Sequence, residues 1–255
     1  MSIDIQTVIE KRPHLKDPLE FYARWQRFCK EAAEMLPKER AVVSPEDARA
    51  YPRDSARSVF QLFVATFNLP GEELEPLCRA MENGDVDFMR LPLDEAPALS
   101  LPLAEQDLAP ILYLLARPYF QNLRRNFPLD GKQWEDGRCP LCSARAALSS
   151  IVEGPQRNFH CTYCGTAGQF RFIGCPNCGT TDPAVLGTLK SDDEPGFRIA
   201  TCEACHTYVK VVESSVLKDM SMDLADMASL PLDIVAQQKG FARMAPNPIG
   251  LKKME

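Results

Sequence analysis

Cys139-Pro-Leu-Cys142, Cys161-Thr-Tyr-Cys164, Cys175-Pro-Asn-Cys178 and Cys202-Glu-Ala-Cys205 are the four paired segments that decide the fold. They hold eight of the ten cysteines in a chain of 255 residues, and the other two are Cys29 and Cys78. In a Cys-x-x-Cys pair, both thiolates of one tight loop can bind the same ion, and a second pair completes a tetrahedral site. The eight paired cysteines are therefore predicted metal ligands.

The spacing of the pairs suggests how they combine. The spacers are 18, 10 and 23 residues long, and spacers of about 15–20 residues are typical of a metal ribbon. We expect the first pair to join the second and the third to join the fourth, which gives two metal ions, each in a four-cysteine site. The alternative is an interleaved pairing, first with third and second with fourth. A tetrahedral set of thiolates suits both iron and zinc, so the identity of the metal is left open.

The residues that flank the pairs add two expectations. Gly165 and Gly179 follow the second cysteine of their pairs, where a knuckle often needs a positive φ. His160 and His206 each adjoin a cysteine, but each site already has four thiolates, so we expect these imidazoles beside the sites and not in them. A dithiol redox catalyst is disfavoured because it normally uses one pair at a helix N-terminus.

The rest of the chain predicts an α+β fold with a helical domain over residues 1–134. Apolar residues at helical spacing predict one helix that starts at Asp17-Pro18, with Asp17 as its N-cap, and ends near Leu36. Ser44 resembles a second helix start. Short segments rich in β-branched and aromatic residues then predict two rubredoxin-like or zinc-ribbon hairpin modules, over 135–172 and 173–215. A helical tail is expected over 216–255, with Gly240 ending its last helix.

Composition and motifs exclude several classes of protein. The net charge of −6 argues against nucleic-acid binding, because affinity for a polyanion depends on Lys and Arg that neutralise phosphates. The apolar runs are too short for an integral membrane segment. The N-terminus lacks the pattern of a signal peptide, which predicts a cytoplasmic protein with reduced thiols. No catalytic motif is recognisable, so no enzyme is expected. A homo-oligomer is left open.

Several stretches resemble the family of formate dehydrogenase accessory proteins, FdhE-type. The segment from Cys202 through His206-Thr207-Tyr208-Val209-Lys210 is similar to the family's Cys-x-x-Cys-x-Thr-Tyr-Leu-Lys. The closing stretch resembles it at Asp226-Met227-Ala228-Ser229-Leu230, Leu232-Asp233, Gly240-Phe241-Ala242-Arg243 and Asn247-Pro248, and the opening does so at Arg12-Pro13 and Asp17-Pro18-Leu19. The family typically carries a Trp and an Arg where this chain has Gly168 and Phe172.

The resemblance implies a function that the residues alone do not. It implies a non-catalytic, metal-binding maturation factor that binds the catalytic subunit of a respiratory formate dehydrogenase and is needed for its activity. It also implies a similarity to rubredoxins, which raises a role in electron transfer or redox sensing as the alternative. A nucleic-acid-binding zinc ribbon is the third reading, and the acidic charge disfavours it.

Overall fold

The computed structural model describes residues 4–37, 52–95, 105–151, 157–171 and 173–254. Its first half is helical, as predicted. The five helices described there are α1 (Ile5–Lys11), α2 (Lys16–Met35), α3 (Arg53–Phe67), α4 (Gly71–Asn83) and α5 (Glu105–Asn126). The helix start predicted at Ser44 lies outside the described residues.

Helix α2 shows how an apolar stripe becomes a core. Its buried side chains include Leu19, Tyr22, Trp25, Phe28 and Ala32, which repeat at spacings of three and four and so lie on one face. The prediction that Asp17 caps this helix is wrong. A 3₁₀ turn over Pro13–Leu15 runs directly into the helix, so Leu15 occupies the N-cap position and Asp17 lies in the first turn.

The second half contains one continuous sheet, where separate hairpins were expected. Its strands are β1 (Leu148–Ile151), β2 (Arg157–His160), β3 (Ala167–Phe170), β4 (Leu186–Lys190), β5 (Phe197–Cys202), β6 (Thr207–Glu213) and β7 (Ala242–Arg243). The order is β3-β2-β1-β6-β5-β4, and β7 also pairs with β6. Neighbours are antiparallel except where β6 pairs in parallel with β1 and with β7. The parallel β1–β6 ladder thus joins the two four-cysteine modules.

The elements pack into two hydrophobic cores, and these cores do not separate the helical part from the two modules. The larger core unites the helices with the first module, because Trp134, Phe159 and Tyr163 pack in the same cluster as the side chains of α2 and α5. The smaller core lies between the second module and the tail, where Ile199 and Tyr208 belong to the same cluster as Leu232 and other tail residues. The division at residues 134, 172 and 215 stays a prediction.

The tail forms three short helices, α6 (Ser214–Leu217), α7 (Met222–Ala228) and α8 (Leu230–Gln238). Ser221 caps α7, since its hydroxyl accepts a hydrogen bond from the Leu224 N–H. Gly240 follows α8 with a φ of 86°, the left-handed conformation expected of a residue just past a helix end. The fold class is α+β as predicted: a helical part, two four-cysteine modules and a helical tail.

Candidate metal centres

The first cluster consists of Cys139, Cys142, Cys161 and Cys164, all four buried. The Sγ atoms of Cys139 and Cys164 are 3.5 Å apart, those of Cys142 and Cys161 3.4 Å, and those of Cys142 and Cys164 3.8 Å. A disulfide would bring two sulfurs to about 2.05 Å, so these thiols are free. The first and second pairs in the chain therefore meet at one point.

The second cluster consists of Cys175, Cys178, Cys202 and Cys205. The Sγ atoms of Cys175 and Cys205 are 3.6 Å apart, and those of Cys178 and Cys202 are 3.7 Å apart. The four pairs thus combine in chain order, and the interleaved alternative does not occur. Each cluster takes two sulfurs from each of two knuckles.

The sulfur spacing fits a tetrahedral metal. Four sulfurs about 2.3 Å from one ion lie about 3.8 Å from each other, which is the edge of the tetrahedron. The separations of 3.4–3.8 Å approach that value in both clusters. Backbone N–H groups also point at the thiols, since Cys164 donates to Cys161 Sγ and Asn177 to Cys175 Sγ, each at 3.4 Å. The two clusters could therefore hold metal ions.

All four knuckles share one backbone conformation. The residue after the second cysteine has a left-handed φ in each: 61° at Ser143, 81° at Gly165, 78° at Gly179 and 51° at His206. The prediction for the two glycines is confirmed. This conformation costs a non-glycine residue roughly 1–2 kcal/mol, so Ser143 and His206 are held in it by their knuckles. The same type of turn therefore follows each of the four Cys-x-x-Cys pairs.

The two clusters differ in their exposure to solvent. Every cysteine of the first cluster is at most 2% exposed, whereas Cys178 is exposed and Cys205 is half-buried in the second. Solvent molecules and other proteins therefore have readier access to the cysteines of the second cluster than to those of the first. The geometry makes the first cluster a closed site and the second an accessible one.

Proton affinities differ among the thiols as well. Burial raises the pKa of Cys142 and Cys161 well above the usual value. At the second cluster, burial raises the pKa of Cys202 to about 12. Burial also acts on Cys205, but hydrogen bonds from Thr207 and neighbouring side chains outweigh it and lower that pKa to about 7. A bound cation would favour the thiolate form of all four sulfurs.

Helix α5 and an aromatic cluster position the first cluster. The Tyr113 hydroxyl donates to the carbonyl of Thr162 at 2.7 Å, and the Tyr163 hydroxyl donates to the carbonyl of Leu91 at 3.2 Å. The two tyrosine rings meet edge to face, with centroids 5.0 Å apart. Because Thr162 and Tyr163 are the middle residues of the second knuckle, the helical part anchors that knuckle directly.

His160 and His206 each adjoin a clustered cysteine, but neither is among the candidate metal ligands. His160 Nε2 lies 2.9 Å from Ser150 Oγ, and burial together with the charge of Arg124 lowers its pKa to about 4. His206 stacks near Phe241, with ring centroids 6.4 Å apart. Cys29 and Cys78 are buried in the helical part, away from both clusters.

A buried ion network was missed by the sequence reasoning. Lys210, Asp226, Asp233 and Arg243 are each 4% exposed or less, and their charges cancel. Lys210 Nζ lies 2.6 Å from Asp226 Oδ1, and Arg243 Nη1 lies 2.8 Å from Asp233 Oδ1. The Tyr208 hydroxyl also donates to Asp233. These residues lie in the stretches that carry the family resemblance, which was the available signal.

Comparison with known proteins shows a similarity to one family. The model of the family described as FdhE, C-terminal domain, matches residues 160–249, a range that includes six of the eight clustered cysteines and the whole ion network. Over these residues the chain is similar to the FdhE C-terminal domain. No helix among the described residues combines the length and the apolar character needed to cross a membrane.

Relatives with the name "Protein FdhE homolog" show the same similarity. The relative from Aquifex aeolicus is 28% identical over 147 residues, which cover 56% of this chain and 49% of the relative. The relative from Shewanella oneidensis is 34% identical over 116 residues, 44% of this chain and 37% of the relative. The chain thus aligns with half or less of these two FdhE homologues.

A solved structure shows the same fold. The crystal structure of the FdhE protein from Pseudomonas aeruginosa matches with a TM-score of 0.67 at 16% identity. The match covers 98% of this chain and 94% of that one. The FdhE fold therefore extends over the helical part as well as the two clusters.

Proposed function

We propose that this protein is a non-catalytic, metal-binding accessory factor that binds the catalytic subunit of a respiratory formate dehydrogenase in the cytoplasm and is needed for its activity. The observation that carries the proposal is the pair of four-cysteine clusters in a chain that is similar to the FdhE family. The eight cysteines named above would be the ligands of two metal ions, iron or zinc. The acidic net charge of −6 gives no support to a nucleic-acid partner.

The surface beside the second cluster is the part best suited to the partner. Ile173 is 59% exposed, the highest value among the exposed large hydrophobic side chains of the described residues. It precedes Cys175 by two residues, and the exposed Cys178 lies in the same knuckle. An exposed apolar side chain next to an accessible thiolate offers both a contact and a chemical group to another protein.

Co-purification with the catalytic subunit tests this proposal. Ile173→Asp should abolish capture of the subunit while leaving metal content unchanged. Val235→Asp is the matched control, because Val235 is 40% exposed on α8, in the tail and outside the second cluster's knuckles. Retained capture by Ile173→Asp would reject this surface. Normal formate dehydrogenase activity in a strain that lacks the protein would reject the function.

Electron transfer is the second candidate, and the exposure of the second cluster favours it. An iron ion held by Cys175, Cys178, Cys202 and Cys205 would lie at the protein surface, where electrons can pass to a partner. Protein purified without oxygen should then show visible absorption that dithionite bleaches reversibly. Colourless protein with zinc in both sites would reject this alternative.

A further inference from the structure

One buried arginine in the first module has no carboxylate partner among the described residues. Arg157 is only 6% exposed, and its Nε donates to Ser149 Oγ at 3.3 Å. Its guanidinium lies over the ring of Phe159, 4.8 Å from the centroid. Nη2 is buried and has no hydrogen-bond acceptor among the described residues. A buried guanidinium normally has acceptors for most of its five N–H groups.

Two further cations lie on the same face of the sheet. The register places Arg198 directly opposite Lys190 on β4 and opposite Val211 on β6. Val211 in turn pairs with Ser149, the acceptor for Arg157, so all three cations share this face. Within the described ranges, none of the three forms an ion pair. Like charges directly opposite each other are destabilising without a counter-charge.

A cavity of about 180 Å³ opens on this face between the two modules. Arg157, Thr188 and Thr207 supply polar groups to its wall, and Ala200 supplies an apolar surface. The volume is several times the roughly 30 Å³ that one water molecule occupies in the liquid. Burial lowers the pKa of Arg157 to about 10, so the guanidinium remains charged at neutral pH.

From this arrangement we propose that the cavity is a binding site for a small oxyanion, a phosphate or a carboxylate, with Arg157 as its anchor. Phosphate and carboxylate oxygens match the planar fork of an arginine, which can donate two parallel hydrogen bonds to them. Arg198 adds a second positive charge, and the Thr188 hydroxyl can donate to one of the remaining oxygens. The proposal is independent of formate dehydrogenase.

The structural alternative is that Arg157 only balances the charge of the second cluster. Four thiolates around a divalent ion leave a net charge of about −2, and Cys175 lines the same cavity. This alternative differs in its consequences. It predicts no anion binding by the wild-type protein and loss of metal from the second cluster when Arg157 is replaced.

Calorimetric titration of the metal-loaded protein with inorganic phosphate, and separately with acetate, tests the proposal at constant ionic strength. We expect saturable binding of at least one of the two anions, and the comparison of the two titrations identifies the chemistry. Arg157→Gln should weaken that binding at least about tenfold, since hydrogen bonds to charged groups contribute roughly 1.5–3 kcal/mol. Arg125→Gln is the control, because Arg125 is exposed at the end of α5.

A second variant leaves the arginine in place. Thr188 is exposed on β4 and lines the cavity, so Thr188→Phe should fill the space without disturbing the core. It should weaken anion binding about as much as Arg157→Gln does. Because Thr188 lies outside the core, such a loss would come from a blocked cavity and not from unfolding. The proposal is overturned if neither anion binds the wild-type protein. It is equally overturned if Arg157→Gln and Thr188→Phe bind the anion as tightly as the wild type.

Discussion

Lys210 on β6 and Asp233 on α8 form a buried ion pair, with Nζ and Oδ2 2.5 Å apart and both side chains at most 1% exposed. Lys210 also contacts Asp226 on α7, and Arg243 on β7 contacts both aspartates. The network therefore joins β6, the last strand of the second module, to α7, α8 and β7. It fixes the tail against the sheet.

Removal of one cation should destabilise the protein strongly. Lys210→Met leaves two buried carboxylates with a single cation, and breaking a buried pair in this way costs about 3–5 kcal/mol. The urea midpoint of the metal-loaded protein should fall accordingly. Lys239→Met is the control, because Lys239 is exposed after α8. Equal midpoints for the two variants would show that the network contributes little.

The same network predicts a dependence of stability on pH. Burial acts to raise the pKa of Asp226, but the charges of Arg243 and Lys210 outweigh it and hold that pKa below its usual value. The stabilisation is therefore complete above about pH 4, the pKa of an unfolded Asp, and is lost as the pH falls through the folded pKa.

The pH effect can be isolated with Asp226→Asn, which cannot titrate at this position. The difference in free energy of unfolding between wild type and Asp226→Asn should be constant from pH 7 to about pH 5 and should shrink below about pH 4. Both proteins release metal in acid, so this contribution to the free energy of unfolding cancels when the two proteins are compared. A difference that does not change with pH would contradict the assignment.

The unequal exposure of the two clusters predicts two rates of metal loss. A chelator should remove the metal of the second cluster first, because Cys178 and Cys205 are accessible, and the metal of the first cluster much later. Release followed with a coloured indicator should show two phases of equal amplitude. Cys178→Ser should accelerate only the fast phase. A single phase for both ions would show that exposure does not control exchange.

Gly168 marks a place where the sheet meets the segment before the first cluster. A Cβ at this position would lie 2.1 Å from the Lys132 carbonyl oxygen and 2.6 Å from Cδ1 of Trp134. Gly168→Ala should therefore lower the thermal midpoint by several degrees or prevent folding. Gly71→Ala, where the nearest atom is a Val64 methyl group at 3.3 Å, is the control. A normal midpoint for Gly168→Ala would contradict this packing.

Local periodicity and cysteine spacing predicted much of this structure. Helix α2 ends at Met35, next to its predicted end near Leu36, and Gly240 follows helix α8 as predicted. Both ends have a local signal, the helical spacing of apolar residues in one case and a glycine in the other. The pairing in chain order also follows from spacing, because a short ribbon brings consecutive knuckles together.

Long-range features could not be predicted from these patterns. The parallel ladder between β1 and β6 joins residues about 60 positions apart, and no local signal encodes such a contact. The ion network likewise needs three elements, α7, α8 and β7, to converge on β6 near Lys210. The wrong prediction of Asp17 as an N-cap has a local cause. The 3₁₀ turn over Pro13–Leu15 runs directly into helix α2, so the helix begins before the Asp17-Pro18 capping signal.

Metal content per chain is the most direct test of the central claim, that the eight cysteines form two metal sites. Protein purified without oxygen should contain two ions of iron or zinc per chain by mass spectrometry. Cys175→Ala with Cys178→Ala should contain one, and Cys29→Ala with Cys78→Ala should retain two, because those thiols lie outside both clusters. Unchanged metal content after loss of Cys175 and Cys178 would contradict the claim.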